Sequence, residues 1–221
     1  MSGKKKLTIL VVVMAALALG VGTAFANLIT NGDFESGNTG FTSDYTYRVV
    51  DYYPAGIYDV GSDPHNGHTS WASYTAYSGN LMMIVNGADV GGDNVWASTA
   101  NVTANTQYYF SVWIASSYPV SPAVLQFSIN GTPLGGPFTA STTVGLWQQF
   151  YAPWNSGFST TANLALINQN IAFTGNDFTL DLFVLDTARP NGTPVSEPST
   201  LLLLGSGLLG LVGYGRKRMK K

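Results

Sequence analysis

Gln107-Tyr108-Tyr109-Phe110-Ser111-Val112-Trp113-Ile114-Ala115-Ser116 alternates strictly through its middle. Phe110, Val112 and Ile114 fall on one face, and Tyr109, Ser111 and Trp113 on the other. That is the period of two of a strand, not the 3.6 of a helix. Val124-Leu125-Gln126-Phe127-Ser128-Ile129 repeats the pattern, with Leu125, Phe127 and Ile129 as its apolar set. Working outward, further β-rich runs occupy 45–51, 81–85, 94–102, 147–151, 163–168 and 177–185. Turn markers separate them, among them Asn31-Gly32, Asn86-Gly87, Gly91-Gly92 and Asn130-Gly131. No stretch of the middle carries a capped helical period. Some eight short strands without crossover helices predict an all-β, two-sheet antiparallel β-sandwich.

Charge divides the chain differently from hydropathy. Ten basic residues face twelve acids in 221 residues, and charged residues make up only 10%, well below the usual quarter. Eight of the ten bases lie in the first six or last six positions. Between Asn27 and Ala188 the only base is Arg48, against eleven carboxylates. Such a surface repels phosphate backbones, which argues against nucleic acid as a partner. It attracts Ca²⁺, a hard cation that takes carboxylate and carbonyl oxygens. The chain has no cysteine, so disulfides, thiolate catalysis and Cys-based zinc sites are excluded.

The two ends read as addresses. Lys4-Lys5-Lys6, an apolar run over 7–19 and Ala24-Phe25-Ala26 form a basic n-region, an h-region and a small-x-small cleavage site. Cleavage between Ala26 and Asn27 is expected, making 1–26 a signal peptide and 27–188 the β-sandwich domain. A linker follows over 189–195. From 196 to 221 come Ser196-Glu197-Pro198-Ser199-Thr200, an apolar run over 201–214 and a basic tail, Arg216-Lys217-Arg218-Met219-Lys220-Lys221. Fourteen residues make a helix of about 21 Å, short for a hydrocarbon core of about 30 Å. Four glycines weaken it further. The expectation is a short transmembrane helix that anchors transiently, with the basic tail cytoplasmic.

This layout resembles the PEP-CTERM sorting signal of exopolysaccharide-producing Gram-negative bacteria. The family's usual Pro-Glu-Pro is here Ser196-Glu197-Pro198. The resemblance implies an exosortase-type membrane enzyme as processing partner and delivery to the cell surface or extracellular matrix. Within the domain, Asn27-Leu28-Ile29-Thr30-Asn31-Gly32-Asp33-Phe34-Glu35-Ser36-Gly37 resembles the opening strand of carbohydrate-binding-module and galactose-binding-like jelly rolls. Gly175-Asn176-Asp177-Phe178-Thr179-Leu180-Asp181 resembles their closing strand, with Leu182 where a second Asp is usual. In that family the opening Glu and closing Asp often hold a structural Ca²⁺. The resemblance carries this to Glu35 and Asp181.

Other chemistry is weaker. His65 and His68 have a zinc-like spacing, but Asp63-Pro64-His65-Asn66-Gly67 reads as a turn. Asp89-Val90-Gly91-Gly92-Asp93-Asn94 lacks the ligand set of a calcium loop. A glycoside hydrolase needs two carboxylates across a cleft, and no spacing marks a pair among the eleven. Trp113 and Tyr109 share the face opposite the apolar one and are the candidate sugar-stacking residues. At least three of the five tryptophans are expected in the core. The functional expectation is an exported, non-enzymatic protein of the extracellular polysaccharide matrix that binds glycan. The alternative is a structural or adhesive matrix protein without glycan binding.

Overall fold

The computed structural model describes residues 27–189. The leader with Ala26, the linker beyond Arg189, the sorting residues Ser196, Glu197 and Pro198 and the apolar segment lie outside the described residues. Eleven strands follow in order: β1 (Thr46–Tyr47), β2 (Ile57–Gly61), β3 (Met82–Asn86), β4 (Asn94–Asn101), β5 (Gln107–Ser116), β6 (Val124–Ile129), β7 (Thr132–Pro133), β8 (Phe138–Thr139), β9 (Gln148–Asn155), β10 (Thr161–Asn168) and β11 (Phe178–Asp186). One sheet has the order β1-β2-β3-β11-β5-β9, and the other β4-β10-β6-β7, with β8 also on β6. All ladders between named strands are antiparallel except the two-residue β1–β2 pairing, which is parallel. The expected all-β two-sheet sandwich is the observed fold.

The alternation in β5 does what its sequence requires. Phe110, Val112 and Ile114 enter the main core with Leu125, Phe127 and Ile129 of β6 and Leu164 and Leu166 of β10. Rings stack through that core: Phe127 on Phe150 at 4.4 Å and Trp96 on Phe183 at 3.9 Å. A second apolar cluster of Tyr52, Ile57, Trp71, Met82 and Ile84 lies on the outer side of the six-stranded sheet. Met83 and Val85 of the same strand face the main core, so the alternation fixes the two clusters on opposite faces.

Several elements differ from expectation. The opening segment 27–37 is a chain of turns, not a strand. Its backbone is bent at Asn31 (φ 53°) and Phe34 (φ 59°). The Asn31 side chain supplies bonds a ladder would have made, accepting from Ser36 N and donating to Gly37 O and Thr39 O. The segment still lies along β11, with Leu28 N donating to Leu185 O and Phe183 N to Gly32 O. At Gly32 any Cβ would strike the Phe183 carbonyl.

β2 has no counterpart among the expected strands, because a buried Asp59 sits at its centre. Its carboxylate accepts from Tyr52 OH at 2.7 Å, Val60 N at 2.7 Å and Val50 N at 3.3 Å. The run 45–51 shrinks to two strand residues, and Val50 takes φ 51°. β9 extends through Pro153, which its edge position tolerates. Two tryptophans are buried, Trp71 and Trp96, not the expected three. Trp113, Trp147 and Trp154 are half-buried, because two of them border a sheet face and Trp154 flanks the core.

Phe183 is fully enclosed and in ring contact with Trp96, Phe34 and Phe110. Phe183→Ala is expected to cost about 3–5 kcal/mol, read as a drop in the denaturation midpoint at unchanged slope.

Candidate ligand-binding face

The outer side of the six-stranded sheet is covered over β2 and β3 by the second apolar cluster. Over β5 and β9 it is more open. There the register sets Trp113 between Asp181 of β11 and Gln149 of β9, Ser111 between Val184 and Tyr151, and Tyr109 between Asp186 and Pro153. The two expected aromatics, Trp113 and Tyr109, do share this face, four residues and about 13 Å apart along one strand.

Each is paired with a ring that the sequence reading did not single out. Tyr77 lies flat on Trp113, centroids 3.7 Å apart and planes 13° from parallel. Tyr151 stacks on Tyr109 at 6.0 Å and 14°. Trp147 stands at 66° to Tyr77, 6.0 Å away, and its Nε1 donates to Thr75 O at 3.2 Å. Arg189 closes the other end, its guanidinium 5.5 Å over the Tyr151 ring and its Nε donating to Tyr151 OH at 3.0 Å. Tyr151 falls within the expected strand 147–151, but nothing in the sequence pairs that strand with β5, and Tyr77 lies in a loop with no periodicity to point at it.

Glu35 and Asp181 come from opposite ends of the domain and grip the same loop. Glu35 Oε1 accepts from Asn80 N at 2.6 Å and Leu81 N at 2.7 Å. Asp181 Oδ2 accepts from Ser78 N at 2.8 Å, and Oδ1 from Leu182 N at 2.6 Å. Leu182, which replaces the second Asp of the resembled pattern, takes φ 51° at a bulge between Asp181 and Val184. The bulge inserts one residue, so Asp181 faces outward while Phe183 still points into the core.

The two carboxylates differ electrostatically. Burial acts to raise Glu35, but the Leu81 and Asn80 amides outweigh it and hold the group below its ordinary value. Asp181 is fully buried, and burial pushes it up to about 7, with the Asp33 charge adding to the rise against three opposing backbone amides. Asp177 is also pushed up to about 7 by burial, and its Oδ1 has no hydrogen-bond partner.

His65 and His68 serve different neighbours. His65 Nδ1 meets Trp71 O at 2.8 Å, while His68 stacks between Tyr53 and Trp71. Among the described residues no group of three or more His, Asp or Glu is placed to hold a metal ion. The opposite sheet carries an open trough of about 680 Å³ lined by Ala97, Thr99, Ser128, Asn163, Ala165 and Phe41, among others. Its lining is small and uncharged, and Phe41 packs edge-on against Phe34. It offers no stacked platform comparable with the β5–β9 face.

Asp177 and Asp181 make stability depend on pH. Their native values near 7 lie above an unfolded value near 3.9, so the native state binds more protons between those limits. The stability these two groups contribute is greatest near pH 4 and is lost as pH rises to about 7, by up to about 1.4 kcal/mol per unit for each group. Above that it levels off. Thermal melts in chelator from pH 4.5 to 8.5 should show this fall, and Asp177→Asn should remove part of it.

A family model described as the PEP-CTERM protein-sorting motif matches residues 194–218. No curated protein matches the chain in sequence. Among solved structures, the CBM22-1 xylan-binding domain of Paenibacillus barcinonensis Xyn10C is similar at 16% identity and TM-score 0.50, over 75% of this chain and 97% of that one. A cyclase from Fischerella sp. TAU is similar at 15% identity and TM-score 0.51, over 75% and 98%. The α-L-arabinofuranosidase MgGH51 matches at 14% identity and TM-score 0.51, over 76% of this chain but 27% of that one. These likenesses establish the fold, which both binding modules and enzymes use. The protein is therefore an exported one that carries a PEP-CTERM sorting motif over 194–218 and a β-sandwich of the fold seen in carbohydrate-binding modules.

Proposed function

We propose that the domain is a non-catalytic glycan-binding module that works in the extracellular polysaccharide matrix. The observation that carries this is the row of stacked rings on one sheet face, Tyr77 on Trp113 and Tyr151 beside Tyr109, with Gln149 next to Trp113 on β9. A pyranose presents an apolar face to such rings and hydroxyls to neighbouring amide and hydroxyl groups. A shared fold supplies only a prior for this reading. The sorting motif supplies the setting, with Ser196-Glu197-Pro198 as the segment an exosortase-type membrane enzyme would recognise.

A structural or adhesive role is favoured by a different observation. Val90, Val120, Ile171 and Phe173 are exposed, Phe173 at 82%. Their loops are tied together by Asn176, which donates through its N to Ser121 O and through Nδ2 to Ala88 O and Asn170 O. That apolar loop end has no part in the ring-bearing face.

Calcium at Glu35 and Asp181 remains part of the proposal. Its support is that Asp181 is buried beside a second acid, Asp33, with no cationic partner among the described residues, where the only ion pair is Arg48–Asp51. A divalent ion shared with Glu35 would offset that burial.

The mature protein should bind the polysaccharide of its producing cell in affinity electrophoresis, and Trp113→Ala together with Tyr109→Ala should abolish the retardation. A mobility indifferent to every polysaccharide offered would sink the glycan reading and leave the adhesive one. For calcium, EDTA should lower the melting midpoint of the wild type but not of Glu35→Ala. Equal melts with and without EDTA would remove the ion.

A further inference from the structure

The loop over 77–81 joins two features that otherwise look unrelated, the carboxylates at the chain ends and the rings on the sheet face. One face of the Trp113 indole is already taken. Parallel rings 3.7 Å apart are in van der Waals contact, and no sugar ring fits between them. What this end of the face can offer a ligand is the far side of Tyr77, itself half-buried.

The loop is held at successive residues. Ser78 N donates to Asp181, and Asn80 N and Leu81 N both donate to Glu35 Oε1. Between them Gly79 sits at φ 68°, and any Cβ there would strike the Glu35 carboxylate. The backbone thus wraps closely around one carboxylate. Trp147, tied to Thr75 O, borders Tyr77 from the other side. Glu35 is solvent-exposed and packs into neither apolar cluster. Its bonds to this loop, and not core packing, are its structural work.

We propose that Tyr77, backed by Trp113, is the ring that stacks on a neutral sugar at this end of the face, and that Glu35 is the residue that positions it. The assignment rests on the glycan-binding reading above. The sugar is neutral because the accessible carboxylates at this end, Glu35 under the loop and Asp33 beside Asp181, have no basic side chain near them, while Arg189 lies at the far end against Tyr151. A uronate or sulfate over Tyr77 would meet like charge with no basic side chain to answer it. Trp113 acts through Tyr77 as its support.

The test uses the mature exported protein with three hexasaccharides, neutral xylohexaose and cellohexaose and anionic hexagalacturonate. It is read by isothermal titration and by amide hydrogen exchange at Ser78, Asn80 and Leu81. Tyr77→Ala should weaken binding of the neutral ligand about tenfold or more, the scale of one lost ring contact, with the melting midpoint unchanged. Glu35→Ala should give the same loss together with faster exchange at the three amides. Glu35→Gln, which keeps a carbonyl acceptor in place, should restore both. Gly79→Ala should perturb the same contact from the loop side and mimic Glu35→Ala. Wild-type affinity in Tyr77→Ala, or tighter binding of hexagalacturonate than of the neutral pair, would overturn the ring assignment. Unchanged exchange in Glu35→Ala would overturn the positioning role, whatever the ligand. A wild type that binds no glycan would bring down the parent reading and, with it, Tyr77 as a contact, while the exchange data still decide the role of Glu35.

Discussion

The bulge in β11 is the constraint on which the rest of the domain depends. β11 lies inside the six-stranded sheet, paired to β3 on one side and β5 on the other. A regular strand through 180–186 would put Leu180, Leu182 and Val184 on one side and Asp181, Phe183 and Leu185 on the other. The extra residue at Leu182 changes the parity once. Leu180, Phe183 and Leu185 then all enter the core while Asp181 turns outward. The same distortion frees Phe183 N from the ladder, and Gly32 O accepts it. The first turns of the domain are thereby docked onto its last strand. Without that change of phase, either Phe183 would leave Trp96 or the 77–81 loop would lose Asp181.

The energetic consequence is a domain whose apolar packing is ordinary and whose electrostatics are not. Burying a carboxylate is costly unless it is paired, and here Asp59, Asp177 and Asp181 are all buried. Asp59 is satisfied by the Tyr52 hydroxyl and two backbone amides. Asp181 receives only amides, and Asp177 leaves one oxygen without a partner. The described residues contain eleven acids and two arginines, one of them already paired with Asp51. With so few cations available, relief comes from a proton, which ties stability to the pH of the surrounding solvent.

How much of this could be read in advance follows from how local each signal was. The strands of the main core were legible because their side chains obey the period of two; β5 matches its expected range residue for residue. β2 was hidden by Asp59, since a carboxylate in the middle of a short run reads as a turn until its buried donors are known. The opening segment is expected as a strand only through its resemblance to the first strand of carbohydrate-binding jelly rolls. The Asn31 side chain, which competes with the backbone for its own bonds, decided otherwise. On the face, Trp113 and Tyr109 were found by alternation, and Glu35 and Asp181 by resemblance. Their common target was not legible. Tyr77, Ser78 and Asn80 lie over a hundred positions from Asp181 and more than forty from Glu35, in a loop whose composition marks a turn and nothing else.

That common target alters the meaning of the individual residues. An exposed glutamate receiving two backbone amides is an investment in one loop conformation, since exposed charge contacts contribute little to overall stability. A loop held that firmly over a tryptophan is not there to shield the core, which closes beneath it through Ile114, Leu180 and Val112. It keeps an aromatic ring at a fixed height above the sheet, and fixing a ring beforehand lowers the ordering cost of whatever binds to it. The fold is shared with enzymes and binding modules alike, so it cannot choose between them. The proposed recognition role rests on the arrangement itself, rigid rings held beforehand by carboxylates that bond the loop backbone.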